Sequence, residues 1–229
     1  MQVLYEDEAT KVAARQGVND ETSGSILLSF TGIGHGMGGL DVQRPEFFGA
    51  GRAFDNIIFI TDKRRSWGNA LDFGVIADVL SPFVAGREVY SIGNSMGGFI
   101  SIISTRYIDT KISIAFVPQY SVSPDRVPWE KRWRDYTASI QTYRFECVEG
   151  YFAESTKYFI FSGAIGDDYR HARLFPIGDN IFHYAFHDMV HEVAADFKRR
   201  NVLDAAVQSC FREDARMDLG LSYERLSPR

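Results

Sequence analysis

The stretch that most constrains this chain is a turn with a serine at its apex, Gly93-Asn94-Ser95-Met96-Gly97, set between two apolar runs of different period. Residues 88–92 bring Val89, Tyr90 and Ile92 before the turn, and Phe99, Ile100, Ile102 and Ile103 follow it at helical spacing. Strand, sharp turn, helix is the setting in which G-x-S-x-G holds a serine backbone under strain and lifts its Oγ clear of a sheet. Both glycines serve that geometry, because a side chain at 93 or 97 would crowd the point where strand and helix approach. Gly98 extends the same small-residue surface.

The remaining pattern supplies a sheet for this turn to belong to. Residues 2–5 and 10–15 read as two short strands around the acidic turn Glu6-Asp7-Glu8. Residues 25–30 and 56–61 are continuous apolar runs, as expected of strands buried on both faces. Leu71 to Val84 carries helical spacing with Gly86 as its stop, residues 95–107 continue the helix after the turn, and 111–117 form the next strand. Residues 158–161 resume the sheet, a short helix is expected over 169–175, and 179–186 alternate as a last strand. A helix starts near His191 and carries Val193, Ala194 and Phe197. The tail from Glu213 to Arg229 reads as helical at first, then loose. Apolar strands alternating with amphipathic helices argue for one α/β domain, a mostly parallel sheet of about eight strands with helices on both faces.

Residues 118–150 interrupt that rhythm with three prolines, Trp129, Trp133, Tyr136, Tyr143 and mixed charge. An insertion of this length is either a cap over a site or an elaborated surface connection. Trp129 and Trp133, each near arginine, are candidate substrate contacts; equally, they pack the insertion onto the body.

At 229 residues with 45% apolar and 24% charged composition, the chain can bury a core without staples. A net charge of −5 with no basic run argues against a nucleic-acid partner. Cys147 and Cys210 read as reduced thiols, no apolar run reaches membrane length, and no signal segment opens the sequence, so a cytoplasmic location is expected.

A serine hydroxyl needs a base within hydrogen-bond reach and a carboxylate to orient that base. Along sheets of this type the order is serine, acid, histidine. Ser95, then Asp167 or Asp168 after the strand at 158–161, then His191, supply that order. Each has a bland counterpart: either aspartate would suit a helix cap, and His187 or His183 compete with His191. His171 reads as structural or as part of a cavity rim. His187-x-x-x-His191, with His183 four residues earlier, also has metal-ligand spacing if one helix ran through 181–197, but Phe182, Tyr184 and Phe186 alternate as a strand does.

The chain resembles the α/β-hydrolases over residues 25 to about 203. The pieces that carry the likeness are Phe30-Thr31-Gly32-Ile33-Gly34, the Ser95 turn with Gly98, the acid after Phe161, and His191. It resembles more narrowly bacterial proteins of that group with a Ser-Met-Gly-Gly turn, Val-Pro-Gln after the next strand (here 117–119), and Asp-x-x-His-Ala (here 168–172). The resemblance implies Ser95 as nucleophile, His191 as general base, and Asp168, or Asp167 in its stead, as the orienting carboxylate. It implies backbone N–H groups of Met96 and Ile33, or Gly34, as oxyanion donors. His35, by its place in the glycine loop, is close enough to contact substrate and ranks behind them as a candidate. The implied activity is hydrolysis of a small-molecule carboxylic ester or thioester, with no cofactor. Acyl transfer to another acceptor and a non-catalytic binding role on the same fold are the alternatives.

Overall fold

The computed structural model describes residues 1–15, 24–34, 43–50 and 54–226. Its strands are β1 (Gln2–Glu6), β2 (Thr10–Ala14), β3 (Ser25–Phe30), β4 (Asn56–Asp62), β5 (Glu88–Asn94), β6 (Ile112–Phe116), β7 (Lys157–Gly163), β8 (Ile181–Phe186) and β9 (Tyr223–Leu226). They form one sheet in the order β1-β2-β4-β3-β5-β6-β7-β8-β9. The six strands from β4 across to β8 run parallel; β1 and β2 at one edge and β9 at the other are antiparallel.

Alternation within the apolar runs divides the core in two. Leu28, Phe30, Ile58 and Ile60 face one layer; Leu27, Ile57, Phe59 and Ile92 face the other. Both layers are roofed by helices, which is why the central strands read as unbroken apolar runs. The first layer is covered by α1 (Phe73–Val84) and α2 (Met96–Ser104), the second by α5 (Val193–Arg199) and α6 (Leu203–Phe211). Asp72 starts α1 by accepting the N–H groups of Gly74 and Val75, so the helix begins two residues later than its apolar spacing suggests. Beneath α2, the Ser101 hydroxyl lies 2.8 Å from that of Ser91 on β5 and 2.9 Å from that of Ser113 on β6, all three fully buried.

The sheet has nine strands rather than about eight, and the difference is at its end. The tail is not helical: α6 ends at Phe211, and β9 pairs with β8 through Tyr223↔Phe186 and His183↔Leu226. Tyr223 packs edge-on to Tyr184 and Arg225 lies over Phe182, resting one face of the strand on β8; β9 is too short and charged to announce itself. Within the insertion, residues 134–137 form the one-turn α3 (Arg134–Thr137), and residues 166–172 form α4 (Gly166–Ala172), beginning three residues before the expected 169. Both cysteines are free. Among the described residues, no helix is long and apolar enough to cross a membrane.

The topology fixes where a site belongs. From β3 the chain steps to β4 on one side and later to β5 on the other, so the order reverses between β3 and β5. Loops leaving the carboxyl ends of adjacent strands diverge at such a point and open a crevice. Ser95 and residues 31–34 after Phe30 lie at that crevice.

Candidate active site

Ser95 joins β5 to α2 with φ 55° and ψ −118°, a conformation that costs an L-residue on the order of 1–3 kcal/mol. Its N–H donates to the Phe116 carbonyl at 2.8 Å, tying the apex to β6. The turn closes only on glycine: a Cβ at 97 would drive into the Phe30 carbonyl, and one at 93 into the backbone of Gly97. Met96, first residue of α2, presents an N–H with no partner in its own helix.

The Ser95 hydroxyl meets two side chains. His191 Nε2 lies 2.8 Å from it, and the Gln119 amide nitrogen donates to it at 3.2 Å. Gln119 is fully buried, and its orientation is set from behind, where the Trp67 indole N–H donates to its Oε1 at 2.8 Å. Trp67 is held in turn by the buried Asp62 carboxylate, which accepts from Arg64, Ser66 and Gly68 in the same loop. Burial pushes the Asp62 carboxyl up, against those bonds to its charged form.

His191 Nδ1 lies 2.8 Å from Asp168 Oδ1. An ionised carboxylate only accepts, so Nδ1 carries the proton and Nε2 faces Ser95 bare. Asp168 stays ionised although it is buried: burial opposes its charge, but the His191 and Arg132 hydrogen bonds and the Arg132 charge outweigh that and lower its pKa. Gly163 makes room for the segment that delivers His191, since a Cβ there would strike the Met189 carbonyl. Trp133 stands against the other side of His191, ring centroids 5.1 Å apart.

Behind Asp168 lies a second charged pair, its Glu130 carboxylate buried and its Arg132 side chain partly exposed. Arg132 donates to Asp168 Oδ1 at 2.9 Å and, through Nε and a terminal nitrogen, to both oxygens of Glu130. Glu130 also receives His171 Nε2 at 2.9 Å, while His171 Nδ1 accepts the Tyr120 backbone N–H at 3.2 Å. That second bond requires neutral His171 with its proton on Nε2, consistent with burial lowering its pKa. Burial works against the Glu130 charge too, yet the His171 and Arg132 bonds prevail and bring it to about 2.

A cavity of about 620 Å³ opens at the serine, lined by Ile33, Gly34, Ser95, Trp133 and His191 among others. A neighbouring cavity of about 840 Å³ shares Glu46, Asn94 and Ala195 with it and extends toward Lys198, Asn201 and Asp204. Burial pushes the Glu46 carboxyl up to about 7, opposed by the Gly32 N–H that it accepts.

Comparison with known proteins fits this architecture. The sequence matches no family model and no curated protein. The structure is similar to a capsule O-acetyltransferase of Neisseria meningitidis serogroup A at 12% identity and TM-score 0.60, covering 89% of this chain and 93% of that one. It is similar to a thermophilic esterase of Thermogutta terrifontis, Est2, solved with butyrate bound, at 15% identity and TM-score 0.55, covering 91% of each. It is also similar to the Glycosylation Associate Protein (Gap123) complex of Streptococcus agalactiae at 13% identity and TM-score 0.59, covering 96% of this chain and 47% of that one.

The chain has the α/β-hydrolase fold.

Within this α/β-hydrolase fold the other candidates fall apart from the serine. Asp167, one residue from Asp168 on α4, turns outward and pairs with Arg170 at 3.0 Å. Neither aspartate caps α4, whose preceding residue is Ile165. Trp129 stacks against His171 and under the Arg170 guanidinium instead of lining the cavity at Ser95. His187 bonds to Ser222, and buried His183 bonds to Ser162; because 181–186 is a strand, the three histidines share no helical face. His35 lies outside the described residues. Gln119, Arg132 and Glu130 are the site neighbours that residue type alone does not single out. For Gln119 the signal in the sequence was its place directly after Pro118 at the end of β6.

Proposed function

We propose that the protein is a serine acyl-transfer enzyme acting on a carboxylic ester or thioester through a Ser95 acyl-enzyme. The observation that carries this is the unbroken line from Ser95 Oγ to His191 to Asp168, with 2.8 Å at each step. His191 takes the hydroxyl proton as Ser95 Oγ bonds to the acyl carbon, and Asp168 stabilises the imidazolium that results. Negative charge moves to the carbonyl oxygen, facing the N–H groups of Met96 and Ile33. As the tetrahedral centre collapses, the bond to the alkoxide or thiolate breaks and His191 returns the proton to that leaving group. Water then enters by the reverse sequence, losing a proton to His191, and releases the acid and free Ser95. No step draws on a cofactor. Trp133 against His191 supports the reading of residues 118–150 as a cap.

A second acceptor is favoured by the shape of the site. The adjoining 840 Å³ cavity brings Lys198, Asn201 and Asp204 within the same trough, a lining suited to a hydroxylated acceptor in place of water. The O-acetyltransferase among the structural neighbours supports this alternative.

The test is labelling by a fluorophosphonate, together with a panel of p-nitrophenyl esters of graded chain length. Wild type is labelled and cleaves short acyl esters, and Ser95→Ala and His191→Ala do neither. A folded wild type that neither labels nor cleaves any ester overturns the reading in favour of a binding protein. Product partition between free acid and acyl-alcohol in the presence of added polyols separates water from hydroxyl acceptors.

A further inference from the structure

The loop that carries the Ile33 N–H is held by side chains whose positions have no part in the triad. Gln43 Nε2 donates to the Gly32 carbonyl at 3.1 Å and to the Asp62 carbonyl at 3.0 Å. The Gly32 carbonyl and the Ile33 N–H belong to the same peptide group, which is trans, so they point in opposite directions. Gln43 lines a separate cavity with Lys11, Lys63 and Arg65 on the far side of the loop, whereas Ile33 lines the cavity at Ser95. Gripping the carbonyl from behind therefore aims the N–H forward.

Two further bonds fix the flanking peptides. The Glu46 side chain packs against the Gly32 peptide, and the Ser29 hydroxyl donates to the Glu46 carbonyl at 2.9 Å, anchoring this segment to β3. A Cβ on Gly32 would lie 3.0 Å from Glu46 Oε1 and 2.9 Å from the Asn94 carbonyl, so the loop is pressed between Glu46 and β5. Arg65 Nε donates to the Ile33 carbonyl at 3.1 Å, which sets the peptide bearing the Gly34 N–H. The peptide groups on both sides of Ile33 are thus each hydrogen-bonded by a side chain from outside the loop, and the one before them is packed against Glu46.

We propose that Gln43 and Glu46 are positioning residues for the oxyanion hole, clamping the Gly32 peptide groups so that the Ile33 N–H is aimed at the developing oxyanion before substrate arrives. This rests on the acyl-enzyme reading of Ser95. A donor fixed in advance stabilises the transition state without reorganising, so its loss falls on the chemical step and not on ground-state binding.

The test uses the isosteric variant Gln43→Met, which keeps the side chain's length and loses its donor, and the pair Glu46→Gln and Glu46→Leu, of which only the first keeps an acceptor. The readouts are kcat and KM for p-nitrophenyl acetate, the rate of fluorophosphonate labelling, and thermal melting. Deleting an oxyanion donor outright typically costs about 10²–10³ in kcat; misaiming one through Gln43→Met is expected to cost about 10- to 100-fold, with KM within about twofold. Labelling slows in parallel, and Glu46→Leu loses more than Glu46→Gln. Unchanged kcat and labelling in Gln43→Met, or a rise in KM that accounts for the whole loss, overturns the proposal. Should Gln43→Met not fold, the Glu46 pair decides alone: equal losses from Gln and Leu overturn it. Wild type that is never labelled removes the acyl-enzyme reading itself, a result distinct from a labelled wild type matched by its variants.

Discussion

Replacing Arg132 by Met keeps the apolar stem against Trp133 and removes the charge that Glu130 and Asp168 share. The magnitude can be worked from Glu130, a buried carboxyl held at about 2 against an ordinary 4.5. That gap, at about 1.4 kcal/mol per pH unit, corresponds to about 3 kcal/mol of stability at neutral pH. It sets the scale of what Arg132 supplies through Glu130, because burial opposes the shift while His171 helps to produce it; Asp168, also lowered, contributes with the same sign. The folded-state value lies below the unfolded one, so the stability is fully present above about 4.5 and is lost as pH falls through about 2. Urea unfolding of wild type and Arg132→Met at pH 7 should therefore differ by about 3 kcal/mol, and at pH 3 by less than about half of that. A difference of equal size at both pH values would refute the electrostatic argument and assign the role of Arg132 to packing over Trp133. A difference below about 0.5 kcal/mol at pH 7 would mean that the cluster behaves as an exposed surface pair.

Three other outcomes follow from the same geometry. Asp168→Asn should lower kcat by on the order of 10³- to 10⁴-fold through loss of the histidine's orientation, while Asp167→Asn leaves ester cleavage within about twofold; the steady-state kinetics of the two proteins decide it. Gly97→Ala, whose new methyl would meet the Phe30 carbonyl, should destabilise by about 3 kcal/mol or more, visible as a lowered urea midpoint or loss of soluble protein. Gln119→Leu removes the donor to Ser95 and leaves the buried Trp67 N–H unmatched, so it should cost about 1–3 kcal/mol in stability as well as slow fluorophosphonate labelling.

What the sequence disclosed and what it withheld divide along physical lines. The Ser95 turn was legible because glycine, serine and glycine at fixed spacing answer to a local steric demand, and the meeting of His191 with it because chain order restricts where a partner for the serine can arise. Asp168 and Asp167 were not separable, since adjacent residues on a helix point about 100° apart and only the helix's docking decides which faces inward. The Arg132–Glu130–His171 cluster was hidden because mixed charge in an aromatic insertion resembles a solvated surface until long-range packing buries it. Trp129 was ambiguous for the same reason: a tryptophan beside charged residues has the composition of a binding contact wherever it lies, and only its packing against His171 and Arg170 separates the two readings. Leu203, Ala206, Val207 and Cys210 recur at helical spacing and are the signal from which α6 can be read. β9 has no such signal, because four residues that pair along an exposed edge need only one apolar face.

The three serine hydroxyls buried beneath α2 work as a mechanical index. Sliding or rotating the helix by one residue would break both hydroxyl contacts and strand three polar groups in an apolar layer, at about 1–3 kcal/mol for each group. Alanine at all three positions would leave no group unsatisfied and need not weaken the fold. What it would surrender is the registration between a helix and the two strands it crosses, and with it the repeatable angle at which the first residue of α2 leaves the turn. A chain so altered would fold about as firmly and hold its serine less reproducibly.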